Sequence, residues 1–226
     1  MKYAIGIIPA RYHSSRFDGK PLALISGKPM IQRVYEGAQT AKLLERIIIA
    51  TDDERILKVA EGFGAEAQMT SPLHQTGTDR IAEIAKEIEA SIIINIQGDE
   101  PLIKGEMIDD LVVALQDNSI PMATLAVKLD DVNLVFRTAV GFALNFTRIP
   151  DNLFQHIGIY GYQKEFLLKF SKLRPSMLEK TEGLEQLRAL ENGYNIKVIE
   201  THWKTQGVNF PSDIKKVENI LKEEAS

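Results

Sequence analysis

The sequence predicts an α/β fold, a mostly parallel sheet flanked by helices. Three observations predict it. Short apolar runs at residues 5–8, 47–50 and 92–96 have the length and Ile-rich content of buried strands. Segments of 3.6-residue apolar periodicity lie between and after them. Strand, helix, strand, helix in succession requires crossovers, and crossovers give parallel pairing.

The first run breaks at Pro9 into a loop that carries Arg11, Arg16 and Lys20. Arg11 offers a planar fork of donors and Lys20 a point charge. Ser14 and Ser15 are small enough to leave backbone amides accessible, so the loop suits a polyphosphate. An ordinary solvated loop would carry the same cations. Pro29 opens a helix whose apolar face is Met30, Ile31, Val34, Tyr35, Ala38 and Ala41. The run at 47–50 ends at Thr51, which with Glu54 predicts a capping box for a helix burying Ile56, Val59, Ala60 and Phe63, closed by Gly64.

Residues 76–80, Thr-Gly-Thr-Asp-Arg, read as a polar turn leading into a helix with Ile81, Ile84, Ala85 and Ile88 inward. Its N-terminal amides face the same sheet edge. The run at 92–96 passes directly into Gln97-Gly98-Asp99-Glu100-Pro101. In open α/β sheets ligands lie beyond the carboxyl ends of strands, and all three loops occupy that position. A carboxylate beside phosphates is expected where Mg²⁺ bridges them, since that ion takes one or two protein carboxylates. As turn residues before a proline, Asp99 and Glu100 need no such partner.

Met107, Ile108, Leu111, Val112 and Leu115 mark a further helix and residues 122–127 a further strand. Residues 142–146 and 157–162 pattern as strands of an antiparallel extension. Residues 175–192 read as one helix with Leu184, Leu187 and Leu190 inward, Gln186 beside that seam and Gly193 at its end. A strand at 196–199 and a helix at 211–221 with Ile214, Val217, Ile220 and Leu221 come last.

At 226 residues and 44% hydrophobic content the chain can bury a full core without covalent staples. A net charge of −4 excludes a general attraction to nucleic acid, so any basic site must be local. With no cysteine, disulfide frameworks and thiolate zinc sites are excluded. The start shows no signal-peptide pattern and no apolar stretch matches a bilayer, so a cytoplasmic protein without membrane insertion is expected. No Gly-x-Gly-x-x-Gly comes after the first strand, and Gly19-Lys20 lacks the upstream glycine spacing of a P-loop. His13 and His74 read as surface residues and Trp203 as packing.

Six segments then stand out in order: Ile8-Pro9-Ala10-Arg11 with Ser14-Ser15-Arg16 and Gly19-Lys20-Pro21-Leu22; Ala50-Thr51-Asp52-Asp53; Met69-Thr70-Ser71 with Gly77-Thr78-Asp79-Arg80; Asn95-Ile96-Gln97-Gly98-Asp99-Glu100-Pro101; His156-Ile157-Gly158-Ile159-Tyr160; and Leu184-Glu185-Gln186-Leu187-Arg188. Together they resemble the 3-deoxy-manno-octulosonate cytidylyltransferases, or CMP-KDO synthetases. The resemblance implies one nucleotidyltransferase-like domain of three layers, with a core at about 1–127 and 194–226. A smaller mixed-sheet dimerisation lobe is implied at about 128–193, and with it a homodimer. The implied reaction moves CMP from CTP to the anomeric hydroxyl of 3-deoxy-D-manno-octulosonate (KDO), releasing pyrophosphate, for lipopolysaccharide biosynthesis.

By that resemblance Arg11 and Lys20 act on the triphosphate, with Asp99 on Mg²⁺ completing the catalytic set. Pro9, Ala10, Thr78 and Arg80 surround the cytidine, and Ser14 and Gln97 also face the nucleotide. Gln97, Arg148, His156, Glu185 and Gln186 face the sugar acid. Two departures matter. The family commonly has Gly-Val-Asp-Thr-Pro near its end, its Asp a second metal ligand, whereas this chain has Gly207-Val208-Asn209-Phe210-Pro211, leaving Asn209 to coordinate through a carbonyl oxygen. The stretch from Lys128 to His156, which includes Arg148, is also shorter than the family's. A cytidylyltransferase for a related sugar acid, such as 8-amino-KDO or sialic acid, or a nucleotide-binding protein with impaired catalysis, would share much of this pattern.

Overall fold

Five consecutive buried residues, Ile92–Ile96, form the strand around which the sheet is laid, because only a strand covered on both faces tolerates such a run. In the computed structural model, which describes residues 2–14, 16–128, 134–137, 141–147 and 154–224, this strand is β6. Before it come β1 (Ala4–Ala10), β2 (Leu24–Ile25), β3 (Lys28–Pro29), β4 (Arg46–Thr51) and β5 (Glu66–Met69). After it come β7 (Met122–Lys128), β8 (Leu134–Arg137), β9 (Ala143–Thr147), β10 (Phe154–Gln163) and β11 (Ile196–Thr201).

The described residues form a main sheet in the order β11-β7-β10-β6-β1-β4-β5. Pairings of β1 with β4 and β6, of β4 with β5 and of β11 with β7 are parallel, and β10 alone among these runs antiparallel to its neighbours β6 and β7. Residues 157–162 are therefore antiparallel as the sequence predicts, but they enter the middle of the main sheet rather than extend it. A register shift between Ile157 and Tyr160 bulges β10 opposite β7, which re-aims the side chains on either side. Two hairpins, β2-β3 and β8-β9, stand apart from the main sheet.

Helices α1 (Met30–Ala38), α2 (Glu54–Gly62) and α4 (Gly105–Ala114) cover one face, α3 (Gly77–Glu87), α5 (Lys164–Phe170) and α7 (Leu187–Glu191) the other. Their buried stripes, such as Ile31-Val34-Ala38 and Ile81-Ile84-Ala85, complete a three-layer α/β core. A smaller cluster seats α8 (Asp213–Glu224) by Val217 against Ile25, Leu102 and Val208. Trp203 packs at the margin of the first core cluster, as the sequence predicts.

Three local expectations change. The cap of α2 is Asp53, whose side chain accepts from Arg55 N, while Thr51 stays in β4 because a fully buried strand end outcompetes a cap there. Residues 76–80 are the first turn of α3 itself, with Thr76 and Asp79 in a reciprocal capping box. Residues 175–192 are two helices, α6 (Met177–Glu182) and α7, because Gly183 adopts φ 64° and turns the chain.

Candidate active site

The strands β1 and β6 end side by side, and the loops they lead into are forced close together. Gly98 is the reason these loops can meet: a Cβ there would lie 2.8 Å from the carbonyl oxygen of Pro9. Beyond β1 the chain turns back through Gly19, at φ 69°, into a 3₁₀ turn at Lys20–Leu22. Gly19 N donates to Tyr12 O at 2.8 Å, which brings the two ends of this loop together. The Tyr12 ring is clamped by the Arg55 guanidinium, 3.3 Å from its centroid, which ties the loop to α2.

These elements enclose a cavity of about 330 Å³. Pro9, Ala10, Arg11, Ser14, Arg16 and Lys20 make one wall, Thr76, Gly77 and Arg80 a second, and Gln97, Gly98 and Asp99 a third. His74 also lines it, paired with Glu83, which corrects its reading as a surface residue. Lys20 Nζ donates to Asp99 Oδ2 at 2.7 Å and to Val208 O at 3.0 Å. An ammonium thus stands between a carboxylate and a carbonyl, the oxygen donors a hard cation prefers. Arg11 and Arg16 are exposed and free to meet an incoming anion, although Arg16 also lies 6.0 Å from the Phe210 ring. Arg80 is buried and committed, donating to Asp52 Oδ2 at 2.7 Å and to the Thr70 hydroxyl, so it shapes the wall.

Glu100, adjacent to Asp99, turns inward. Burial, with the Asp99 charge beside it, pushes its carboxyl up to about 8, and Oε2 is sealed without a hydrogen-bond partner. At neutral pH it therefore carries a proton. Its Oε1 is the nearest atom to space that a side chain at Gly207 would fill, so it braces the segment leading to Val208.

Of the described sugar-side candidates, Gln97 lines this cavity and His156, Glu185 and Gln186 do not. Gln97 Nε2 donates to Asn95 Oδ1 at 3.0 Å. Asn95 is 1% exposed and keeps Nδ2 unpartnered, a cost of about 1–3 kcal/mol that the strand tolerates beneath the site. On β10, His156 Nε2 lies 2.9 Å from Thr124 Oγ1. The Thr124 hydroxyl donates to Ile159 O at 2.7 Å, so the imidazole supplies the other proton from Nε2 and keeps Nδ1 as an acceptor. Burial holds this imidazole neutral, its pKa pushed down to about 4. Tyr160 packs against the His156 ring, and burial drives its phenol upward. Thr78 and Glu185 bond to each other, and Gln186 is buried at the start of α7. Asn209 comes after Val208 on an exposed turn, its amide donating to Asp213 Oδ2 at 3.1 Å. Arg148, the last sugar-side candidate, lies outside the described residues. Asn95, Glu100 and Tyr160 lie within the six segments that resemble the family but carry no role legible there, and Thr124 lies outside every segment; its place beside His156 follows from the pairing of β10 with β7, which the sequence pattern does not report.

An open α/β sheet whose strand ends pool exposed guanidinium groups, an ammonium and a lone carboxylate around a nucleotide-sized cavity has the architecture of a nucleotidyltransferase. A cytidylyltransferase family model matches residues 5–140 and 130–199. The chain is 45% identical to the 3-deoxy-manno-octulosonate cytidylyltransferase of Geotalea uraniireducens, covering 96% of this chain and 98% of that one. It is 48% identical to the enzyme of the same name from Syntrophotalea carbinolica, covering 96% and 97%. Among solved structures, CMP:2-keto-3-deoxy-manno-octonic acid synthetase complexed with CTP superposes with a TM-score of 0.92 at 38% identity, covering 98% and 99% of the two chains. A 4-diphosphocytidyl-2C-methyl-D-erythritol synthase from Anaerococcus prevotii, 17% identical with a TM-score of 0.67, shares the fold. The chain belongs to the 3-deoxy-manno-octulosonate cytidylyltransferase family. The Geotalea alignment runs over 245 positions against 226 residues here, so that relative carries residues this chain lacks.

Proposed function

We propose that this protein transfers CMP from CTP to the anomeric hydroxyl of KDO, releasing pyrophosphate, as a Mg²⁺-dependent homodimeric enzyme of the cytoplasm serving lipopolysaccharide biosynthesis. The observation that carries the reading is the gathering of Arg11, Arg16, Lys20 and Asp99 around one cavity at the ends of β1 and β6, with Lys20 paired to Asp99. Support for the acceptor comes from relatives of that name at 45–48% identity.

The cavity residues fit a nucleotide-borne cation. Asp99 is its carboxylate, Val208 and Asn209 supply neighbouring oxygens, and Lys20 occupies a cation's position between two of these donors. Among the described residues no cluster of three His, Asp or Glu side chains stands ready for a metal, and nucleotide phosphate oxygens would supply the remaining ligands. Bound there, Mg²⁺ would neutralise charge on the α-phosphate and the departing pyrophosphate.

The chain's own residues align and screen. Arg11 and Arg16 receive the outer phosphates through planar forks of donors. Lys20 exchanges Asp99 for phosphate oxygen as charge develops, and no covalent nucleophile is required. Pro9 and Ala10 wall the nucleoside side with Gly77. Neutral His156 is the β10 residue assigned to the sugar-acid side, and Gln97, its amide nitrogen held by Asn95, offers its carbonyl oxygen.

The test is pyrophosphate release from CTP with KDO, with UTP and ATP as nucleotide controls and 8-amino-KDO and sialic acid as acceptor controls. Release only with CTP and KDO is the expected result; silence with every octulosonate would remove the assignment. Light scattering of the eluting protein reports the dimer.

A further inference from the structure

Thr78 stands at the second position of α3, between Gly77 and Arg80, both of which face the cavity, yet it is 2% exposed and is not part of the cavity wall. Its hydroxyl instead reaches across 107 residues of sequence to donate to Glu185 Oε2 at 2.6 Å. That is the length of a charge-assisted bond to a carboxylate, the stronger kind. Glu185 sits between α6 and α7, where Arg188 lies 3.4 Å from its other oxygen and itself bonds Glu179 through Nε at 2.9 Å. The Thr76–Asp79 capping box locks the turn from which Thr78 projects. Thr78 thus bonds the rim of the nucleotide cavity to the segment that carries Glu185 and Gln186.

We propose that Thr78 is a positioning residue for the acceptor: it fixes residues 184–188 against α3, and so sets where the sugar acid binds relative to the nucleotide. The inference rests on the reading of Glu185 and Gln186 as sugar-acid contacts, and it removes Thr78 from direct contact with the base. A hydroxyl spent inside the protein cannot also select cytosine. A methyl in its place keeps the shape of the helix turn but removes the 2.6 Å hydrogen bond to half-buried Glu185, whose other oxygen keeps the longer contact from Arg188.

Thr78→Val deletes the hydroxyl at constant shape and Thr78→Ser retains it. In pyrophosphate-release assays Thr78→Val is expected to raise the KM for KDO by about tenfold or more, the factor of one hydrogen bond to a charged group, with the KM for CTP within about twofold. Thr78→Ser restores the wild-type values. In the ligand-free protein, amide hydrogen exchange over residues 184–191 speeds up in Thr78→Val and not in Thr78→Ser. A KM increase confined to CTP would make Thr78 a base contact and overturn the proposal, as would unchanged exchange over 184–191 in Thr78→Val. Wild-type protein that releases no pyrophosphate with KDO would overturn the proposed reaction instead, while the exchange comparison still decides whether the hydroxyl holds the segment.

Discussion

Lys20 is the residue on which the chemistry converges, because its ammonium already touches the carboxylate that a metal would use. In the proposed reaction its interaction with phosphate would strengthen as the α-phosphorus is attacked, so its contribution would fall on the transition state rather than on substrate binding. Lys20→Ala is expected to lower kcat by about 10²–10³, the loss seen when one donor to developing charge is removed. A change confined to KM would contradict the role. The pairing of Lys20 with Asp99 was only half legible in sequence: both residues come after apolar runs, but the 79 positions between them are bridged solely by the adjacency of β1 and β6. His156 shows the same limit in another form. Its place on a strand could be read, its neutral state could not, because that depends on burial against β7. The unfolded imidazole titrates near 6.5 and the folded one near 4, so the unfolded state binds the extra proton between these values. Stability contributed by the neutral ring is full above pH 6.5 and is lost as pH falls toward 4, on the order of 3 kcal/mol in all. His156→Gln is expected to flatten that acid limb in urea melts at pH 4.5 and 7; an unchanged pH slope would mean the ring is not held neutral by the fold.

At the level of elements, those whose local signals agree were plain in sequence. The Ile-rich β6 and the 3.6-residue stripe of α3 each emerge from composition and period alone. Where a pattern runs on past a backbone turn, periodicity misleads: Leu184, Leu187 and Leu190 continue an apolar spacing that Gly183 interrupts by adopting φ 64°. The insertion of β10 between β6 and β7 was equally hidden, because alternation reports which residues share a face and says nothing of which strand lies alongside. The junction of β1 with β6 yields a stability test. A Cβ at residue 98 would press on the Pro9 carbonyl, a backbone atom anchored by two flanking parallel strands, so the contact cannot be relieved by a rotamer change. Gly98→Ala is expected to cost about 1–3 kcal/mol in urea unfolding and to part the two loops that frame the cavity. Thr76→Ala, which removes only one half of the capping box, should cost about 1 kcal/mol and leave β1 and β6 in place. Equal, negligible effects from both would show that the loops tolerate displacement.

Across the whole molecule the excess of acid over base is slight, and attraction for a triphosphate is created by folding, which collects Arg11, Arg16 and Lys20 at one sheet edge. The proposed Mg²⁺ requirement would arise from the same distribution. Among the described residues Asp99 is the single carboxylate on the cavity wall, Glu100 beside it turns inward with its carboxyl raised by burial, and the exposed turn after Val208 presents Asn209 rather than an acid. A divalent ion offered to the protein alone meets one carboxylate already satisfied by Lys20. Offered with CTP, it would bring phosphate oxygens as further ligands, leaving Lys20 to pair with the triphosphate. Calorimetric titration of the free protein with Mg²⁺ should therefore show no binding in the millimolar range, with saturation appearing only when CTP is present. Asn209→Asp restores one negative charge to the turn beside the Val208 carbonyl, and is expected to lower the Mg²⁺ concentration for half-maximal pyrophosphate release severalfold with kcat little changed. Were the Mg²⁺ dependence of wild type and variant to coincide, residue 209 would have no part in holding the ion, and the burden would fall on Asp99 and the phosphates alone.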